Sequence, residues 1–310
     1  SDANLSSNFE AIKPTMSRDG KQWGVPYSYY QWGVYYRKDI FDALNLSEPT
    51  TWDDMLAACD TMKENGVTPF TIGTKFLWTA AGVFDYLNLR TNGYDVHNAL
   101  TAGEIAYTDE RIKQTFANWE TMLERCSFVD NHATMSWQEA LAPFANGDAA
   151  MYVMGNFAVA GMKDAGLTED QIDFFQFPEI TPGLARAEEA PADAFFIPAN
   201  ARNVDNAKKF LSFISQPEIQ SAWNKTLGQL PPNSAADINA DDKFIVEGMA
   251  TVSTAAGLAQ FYDRDAPAAM AQAGMEGFQR FMLDPGTKEE DRAPLSGVPG
   301  LAPAPAGAWA

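Results

Sequence analysis

Aromatic and polar side chains are interleaved in three short segments of the 310-residue chain, namely YYQW at 29–32, GNF at 155–157 and FYDRD at 261–265. Flat aromatic rings stack on the apolar C–H faces of sugars, whereas amide, carboxylate and guanidinium groups form hydrogen bonds with sugar hydroxyls. The interleaving of these two kinds of side chain therefore predicts recognition of a neutral carbohydrate.

The alternative is that these rings belong to a hydrophobic core, which is the commoner role of an aromatic residue in a strand. Segment 29–32 argues most strongly against it, since two tyrosines, a glutamine and a tryptophan in succession cannot all point into one core. We therefore expect at least some of these side chains to face a cleft or solvent.

Motifs for nucleophilic, phosphate-binding or metal chemistry are absent from the sequence, which contains no GxSxG, no glycine-rich phosphate loop, no HExxH and no CxxC. Two pairs of acidic residues remain as candidates for hydrolysis, Asp263 with Asp265 and Glu188 with Glu189. A glycosidase needs its two carboxyl groups on opposite sides of the sugar, where close neighbours in sequence rarely lie. We expect no catalytic residue and no cofactor.

The two histidines and two cysteines are too few for a histidine-based triad, a metal cluster or a disulfide framework. His97 and His132 stand among polar residues, and we expect them to be solvated or to cap local structure. Cys59 and Cys126 lie in helical patterns and are expected to be small core residues, with a bridge between them as the alternative.

The chain is strongly acidic, with 22 Lys and Arg against 41 Asp and Glu and a formal net charge of −19. Such a chain repels phosphate backbones, and no basic cluster makes a local exception, so nucleic acid is excluded as a partner. No stretch approaches the roughly 18 consecutive apolar residues of a membrane span. The first 20 residues show no secretion signal, which indicates either a cytosolic protein or one whose leader has been removed.

Strand-like and helix-like segments alternate along the chain, which is typical of an α/β fold. Residues 21–41 predict two short strands with a change of direction or of domain between them. Thr51, followed three residues later by Asp54, predicts a capped helix start. Further strands are expected at 68–73, 149–155, 173–178 and 194–200. Further helices are expected at 78–92, from Thr108, from Ser136 to Asn146, at 204–215 with Asn203 as cap, from Pro217, at about 241–256 and at about 267–283.

Five segments resemble, in the same order, the sugar-binding solute-binding proteins of bacterial ABC transporters (extracellular solute-binding protein family 1). These are GKQWGVPYSYYQWGVYYRKDIF (20–41), PTTWDDML (49–56), ENGVTPFTIG (64–73), NGDAAMYVMGNFA (146–158) and FFIPANARNVDNAKKFLSFISQPEIQSAWNKTLGQLPPN (195–233). The resemblance covers about residues 9–283. It implies a two-lobed, periplasmic-binding-protein-like α/β fold of type II.

The resemblance also implies a set of ligand-binding residues. They are Tyr30, Gln31, Trp32, Trp78, Asn156, Phe157, Asp193, Phe195, Gln229, Asn233, Tyr262, Asp263, Arg264 and Asp265. In this family the first three line the cleft between the lobes. For Trp78 the alternative is core packing, and for Asp263, Arg264 and Asp265 it is a surface ion-pair cluster of little energetic value.

The same resemblance divides the chain. Residues 1–32 and 194–236 are expected in lobe one, 33–193 and 237–283 in lobe two, and 284–310 in a mobile tail rich in Pro and Ala. Family members carry a signal peptide and about the first half of lobe one before the GKQWGVP segment. We therefore expect lobe one to be incomplete in this chain.

The implied function is that of the extracellular solute-binding component of an ABC importer, which closes around a neutral mono- or oligosaccharide between its lobes and then docks on permease subunits. We expect a periplasmic or lipid-anchored protein that catalyses nothing, binds no metal, does not insert into the membrane and is monomeric when complete.

Two other functions remain open. One is a carbohydrate-active hydrolase that uses Asp263 or Asp265. The other is a binding protein for a polyamine, which requires several carboxylates around an aromatic box, or for an amino acid, which requires an arginine for the carboxylate. The neutral aromatic residues of 29–36 favour the sugar.

Overall fold

The computed structural model of the protein describes Phe9, residues 12–18 and residues 20–285. Most of the tail expected at 284–310 lies outside these described residues. The strands within them are β1 (Ser17–Arg18), β2 (Lys21–Gln22), β3 (Val25–Tyr29), β4 (Trp32–Arg37), β5 (Thr68–Phe70), β6 (Ala149–Gly155), β7 (Ile172–Phe175), β8 (Glu188–Glu189), β9 (Ala192–Phe195) and β10 (Leu258–Ala259).

The helices of the same part of the chain lie between and after these strands. They are α1 (Lys38–Ala43), α2 (Trp52–Glu64), α3 (Trp78–Asn92), α4 (Tyr94–Thr101), α5 (Glu110–Cys126), α6 (Leu141–Asn146), α7 (Ala158–Asp164), α8 (Val204–Ile214), α9 (Pro217–Leu227), α10 (Lys243–Thr254), α11 (Tyr262–Asp265) and α12 (Ala268–Leu283).

The chain forms two compact units. Unit 1 contains the described residues up to Trp32 together with Gly155–Ala160 and Glu188–Gln260. Unit 2 contains Gly33–Met154, Gly161–Ala187 and the described residues from Phe261 onward.

The observed units differ from the expected lobes mainly at residues 237–260, which the sequence assigns to lobe two and the structure to unit 1. The physical reason is the core of unit 1. Helix α10 buries Ile245 and Val252 in one hydrophobic cluster with Tyr29 and Leu230. The sequence shows that α10 is amphipathic, but it does not show which core its apolar face meets.

Unit 2 is organised around a four-stranded sheet of order β5-β6-β4-β7. Strands β5 and β6 are parallel, with Phe70 opposite Met151, and β4 and β7 are antiparallel, with Val34 opposite Phe175. Every residue of β4 and of β6 is buried. Inner strands that are covered on both faces lose the alternation of apolar and polar residues that marks a half-exposed strand.

The disulfide of unit 2 corrects the expectation that its cysteines are separate core residues. Cys59 of α2 and Cys126 of α5 are bridged, with their Cα atoms 4.8 Å apart. This separation lies within the range that a disulfide requires. Their two helices are brought together by tertiary packing, so the spacing in sequence did not reveal the pairing.

The local start signals of two predicted helices are confirmed. Thr51 Oγ1 accepts a hydrogen bond from Asp54 N at 3.2 Å, and Thr51 N donates to Asp54 Oδ2 at 3.1 Å, which is the reciprocal capping arrangement expected before α2. Asn203 Oδ1 accepts from Asn206 N at 3.4 Å before α8. These caps depend only on residues three apart, and for that reason the sequence reveals them.

Several predicted boundaries are wrong. Helix α5 is capped by Asp109 rather than by Thr108. Helix α6 begins only at Leu141, although the predicted start signal is present: Ser136 N donates to Glu139 Oε2 at 2.7 Å and Glu139 N to Ser136 Oγ at 3.2 Å, and residues 137–140 form turns ahead of the helix. The strand expected at 194–200 ends at Phe195, ahead of Pro198, which cannot donate to a ladder.

Unit 1 contains an antiparallel pair, β3 with β9, and a parallel pair, β8 with β10. Helix α9 is fixed to β3 by two buried amides. Gln220 Nε2 donates to the carbonyl oxygen of Pro26 and Asn224 Nδ2 to that of Tyr27, each at 2.9 Å. Among the described residues, no helix combines the length and the apolar character that crossing a membrane requires.

Candidate functional site

Three aromatic rings meet in unit 1. The ring of Phe157 lies edge-on to that of Tyr30, with centroids 5.3 Å apart, and edge-on to that of Trp32, with centroids 6.2 Å apart. Tyr30 and Trp32 are buried, whereas Phe157 is only half-buried. We call Tyr30, Trp32 and Phe157 the Phe157 cluster. It joins two segments that are more than 120 positions apart in the sequence.

The main chain beneath the Phe157 cluster is held by Asn156. Its backbone N–H donates to the carbonyl oxygen of Gln31 at 3.1 Å, and its Nδ2 donates to that of Gly228 at 2.9 Å. Its Oδ1 is buried and accepts no hydrogen bond within the part of the chain that the structure describes. At Gly155 a Cβ would lie 2.5 Å from the Phe157 ring, so only glycine permits this ring position. The residue that precedes Phe157 in the chain thus carries a buried oxygen acceptor.

Segment 29–32 does not face solvent, because every residue from 28 to 37 is buried. Gln31 is fully buried and its Nε2 donates to the carbonyl oxygen of Phe244 at 3.1 Å. Its amide packs against Gly248 of α10 so closely that a Cβ at position 248 would lie 2.3 Å from the amide atoms. Gln31 therefore anchors the backbone under the Phe157 cluster on α10, a role that the sequence alone did not suggest.

Phe195 belongs to a second aromatic group of unit 1. Its ring centroid lies 4.6 Å from that of Tyr27, 5.6 Å from that of Phe210 and 6.2 Å from that of Trp223. This group joins β3, β9, α8 and α9, so the packing of Phe195 is accounted for by the structure of unit 1.

The polar candidates of unit 1 lie on β9 and in the turn after α9. Asp193 is half-buried and pairs in β9 with Ser28, whose hydroxyl donates to Gln229 Oε1. Asn233 is buried, donates through Nδ2 to the carbonyl oxygen of Ser215 at 2.8 Å and accepts through Oδ1 from Ala235 N at 2.9 Å. Asn233 thus maintains the turn.

Trp78 of unit 2 is half-buried at the first position of α3, and its ring lies edge-on to that of Phe261 at 6.0 Å. The residue before it, Leu77, has φ +69°, a value rare for a bulky side chain. The sequence contains no signal for this conformation.

The late candidates of unit 2 divide into a core residue and an exposed group. Tyr262 is fully buried, its backbone N–H donates to Asp85 Oδ2 (3.0 Å) and its hydroxyl donates to the carbonyl oxygen of Met270 (3.2 Å). Burial raises the pKa of the Tyr262 hydroxyl above its ordinary range. The next three residues, 263–265, are exposed, and Asp265 Oδ2 accepts a hydrogen bond from Thr101 Oγ1 at 3.0 Å.

Comparison with known proteins identifies the family of the chain. The family model of the bacterial extracellular solute-binding proteins matches residues 1–221, more than half of the chain. The chain belongs to this family.

Curated relatives of this solute-binding protein are longer than the chain. An ABC transporter extracellular-binding protein of Pyrococcus horikoshii is 33% identical over 205 residues, which are 66% of this chain and 45% of the relative. The multiple sugar-binding protein of Streptococcus mutans is 25% identical over 202 residues, 63% of this chain and 47% of the relative. The chain spans about half the length of the curated relatives it matches.

Solved structures similar to this solute-binding protein show its fold. The bacterial solute receptor AcbH, reported to prefer β-D-galactopyranose exclusively, is 28% identical with a TM-score of 0.85, over 94% of this chain and 75% of AcbH. A chitin oligosaccharide binding protein is 23% identical with a TM-score of 0.78, over 94% of this chain and 73% of the other. The expected two-lobed α/β fold of type II is confirmed.

Both histidines of this solute-binding protein are buried, so the expectation that they are solvated is wrong. His97 is fully buried, with Nδ1 3.2 Å from Asn88 Nδ2 and Nε2 4.0 Å from Asp85 Oδ1, and burial lowers its pKa to about 4. His132 is also buried, its Nδ1 lies 2.9 Å from Thr74 Oγ1, and burial lowers its pKa. The described residues contain no group of three His, Cys, Asp or Glu that could hold a metal ion.

Proposed function

We propose that the chain is the extracellular solute-binding component of an ABC importer and that it binds a neutral mono- or oligosaccharide. The observation that carries the proposal is the Phe157 cluster together with the buried Oδ1 of Asn156, the residue that precedes Phe157. Two of the similar proteins support the substrate class, since one is named a multiple sugar-binding protein and AcbH prefers β-D-galactopyranose.

In this proposal the rings of the Phe157 cluster have different roles. Tyr30 and Trp32 are buried and hold Phe157 edge-on, while the half-buried ring of Phe157 supplies the apolar surface on which a sugar stacks. Asn156 Oδ1 accepts a hydrogen bond from a sugar hydroxyl. A buried acceptor without a partner costs about 1–3 kcal/mol, so the bond with the sugar is favourable beyond its ordinary net value.

An extracellular location is supported by the family and by the disulfide between Cys59 and Cys126. Disulfides form and persist in oxidising compartments and are rare in the reducing cytosol. We infer a periplasmic or lipid-anchored protein that acts as a monomer and delivers its sugar to permease subunits.

Binding without hydrolysis is the second part of the proposal. Asp263 and Asp265 lie on the same short helix, α11, and Asp265 is hydrogen-bonded to Thr101. A glycosidase places its two carboxyl groups about 5–10 Å apart on opposite sides of the sugar, an arrangement that one helical turn does not provide.

The decisive experiment is a thermal-shift and calorimetric titration of the chain with galactose, raffinose, and xylo- and chito-oligosaccharides, with amino acids and polyamines as controls. A sugar present at 100 times its Kd should stabilise the folded chain by about 2.7 kcal/mol. The same samples should release no shorter sugar on chromatography.

Two variants assign the binding to the Phe157 cluster. Phe157→Ala should weaken the affinity about ten-fold, the amount expected for one stacked ring. Phe210→Ala, which removes an exposed ring from the other aromatic group of unit 1, should leave the affinity unchanged. If none of the sugars binds, or if a polyamine or amino acid binds instead, the proposed function is wrong.

A further inference from the structure

A strained turn precedes α3 in unit 2. Leu77 has φ +69° and ψ −45°, and Trp78 N donates to the carbonyl oxygen of Phe76 at 2.8 Å, which closes a three-residue γ-turn. A bulky residue adopts this conformation only at a cost in free energy, and only where its surroundings impose it. Such strain is found preferentially where a protein holds groups for a ligand.

Side chains from other parts of unit 2 contact Thr74, three residues before Leu77. The carbonyl oxygen of Thr74 accepts two hydrogen bonds, one from Leu77 N at 2.8 Å and one from Gln279 Nε2 of α12 at 2.7 Å. The hydroxyl of Thr74 lies 2.9 Å from His132 Nδ1. The position of the turn is thus determined by α12 and by the segment around residue 132, both distant in sequence.

The turn presents an exposed ring on this fixed backbone. The side chain of Phe76 is 59% exposed. Among the residues described in unit 2, the other large hydrophobic residue that is exposed is Leu283, at the end of α12. Lys75 Nζ lies 5.6 Å from the centroid of the Phe76 ring. An exposed ring with an ammonium group over it combines a stacking surface with hydrogen-bond donors, which is the chemistry that sugars require.

We propose that Phe76 is a sugar-contact residue of unit 2 and that Gln279, acting through the carbonyl oxygen of Thr74, is its positioning residue. The inference rests on the proposed function and names a ring that no resemblance assigned. The sugar stacks on Phe76 and receives hydrogen bonds from the ammonium group of Lys75. The strained turn keeps the ring in place before the sugar arrives, so that little side-chain entropy is lost on binding.

The test uses the sugar that gives the largest shift with the unmodified chain. Phe76→Ala should weaken its affinity about ten-fold, and Phe76→Trp, which keeps a flat ring, should stay within about two-fold of the unmodified chain. Leu283→Ala, the matched removal of an exposed apolar side chain in the same unit, should have no effect.

Gln279 is tested by a double-mutant cycle. Gln279→Glu keeps the size of the side chain but removes the donor to Thr74. It should weaken binding in the unmodified chain and have little further effect in Phe76→Ala, because it acts through the ring. Additive losses of affinity would show that Gln279 acts independently of the Phe76 ring and would overturn its assignment.

The outcomes also separate the two proposals. If Phe157→Ala weakens binding while Phe76→Ala binds as tightly as the unmodified chain, the assignment of Phe76 is wrong and the proposed function stands. If the unmodified chain binds none of the sugars, both are wrong.

Discussion

Replacement of Gly73 by alanine should strongly destabilise unit 2. A Cβ at this position would lie 2.1 Å from the carbonyl oxygen and 2.5 Å from the carbonyl carbon of Ser136, and 2.8 Å from the carbonyl oxygen of Met135. All three are main-chain atoms, so no side-chain rotation can make room. The two segments must move apart.

Moving them apart affects two hydrogen bonds, Thr74 N to the carbonyl oxygen of His132 at 2.7 Å and Lys75 N to that of Met135 at 3.0 Å. Overpacking costs about 1–3 kcal/mol, and each weakened hydrogen bond about 0.5–1.5 kcal/mol. Alanine stabilises the folded state by about 0.4–1 kcal/mol, because it reduces the conformational entropy of the unfolded chain. The net loss in the free energy of unfolding is therefore about 3 kcal/mol.

Scanning calorimetry of the oxidised protein measures the effect. A loss of this size corresponds to a fall of roughly 6–12 °C in the Tm of the transition that includes unit 2. Gly183→Ala is the matched control, because Gly183 of unit 2 has φ +77° and open space at its Cβ, so that alanine there suffers only backbone strain of about 1–2 kcal/mol. A Gly73→Ala protein as stable as the control, or more stable than the unmodified chain, would refute the steric argument.

Three further predictions concern buried contacts. Gly248→Ala should lower the free energy of unfolding, measured in urea, by about 1–3 kcal/mol despite alanine's helix preference, because the new Cβ would lie 2.3 Å from the Gln31 amide. Adding Gln31→Ala to the same chain should restore part of this loss. The pKa of His97 is about 4 in the folded chain against 6.5 when unfolded, so the unfolded state binds more protons between these two pH values. The free energy of unfolding should therefore fall by up to about 3 kcal/mol as the pH drops from 6.5 to 4. His97→Asn should flatten this pH dependence, and an unchanged pH profile in the variant would contradict the prediction. Reduction of the bridge between Cys59 and Cys126, 67 positions apart, should cost about 4 kcal/mol in urea unfolding, and the double replacement by serine should abolish the effect of the reductant.

The segment 28–37 shows why the site was only partly predictable. Its consecutive aromatic residues are too many for a strand that buries only one face, yet all of them are buried. The reason is that β4 is an inner strand of the unit 2 sheet, and such a strand accepts apolar residues on both faces. The exposed surface is supplied instead by Phe157, which follows β6 more than 120 positions later.

The sequence by itself determined the family, the α/β class and the helix starts at Thr51 and Asn203, because motifs and caps depend on residues that are neighbours in the chain. Only the tertiary structure decided the pairing of the cysteines, the burial of Gln31 and His97, and the strained turn at Leu77. Each of these depends on groups brought together from distant parts of the chain. Burial, clashes and the polar partners of a side chain are properties of the packed assembly, so they emerge only when the helices and strands are in place.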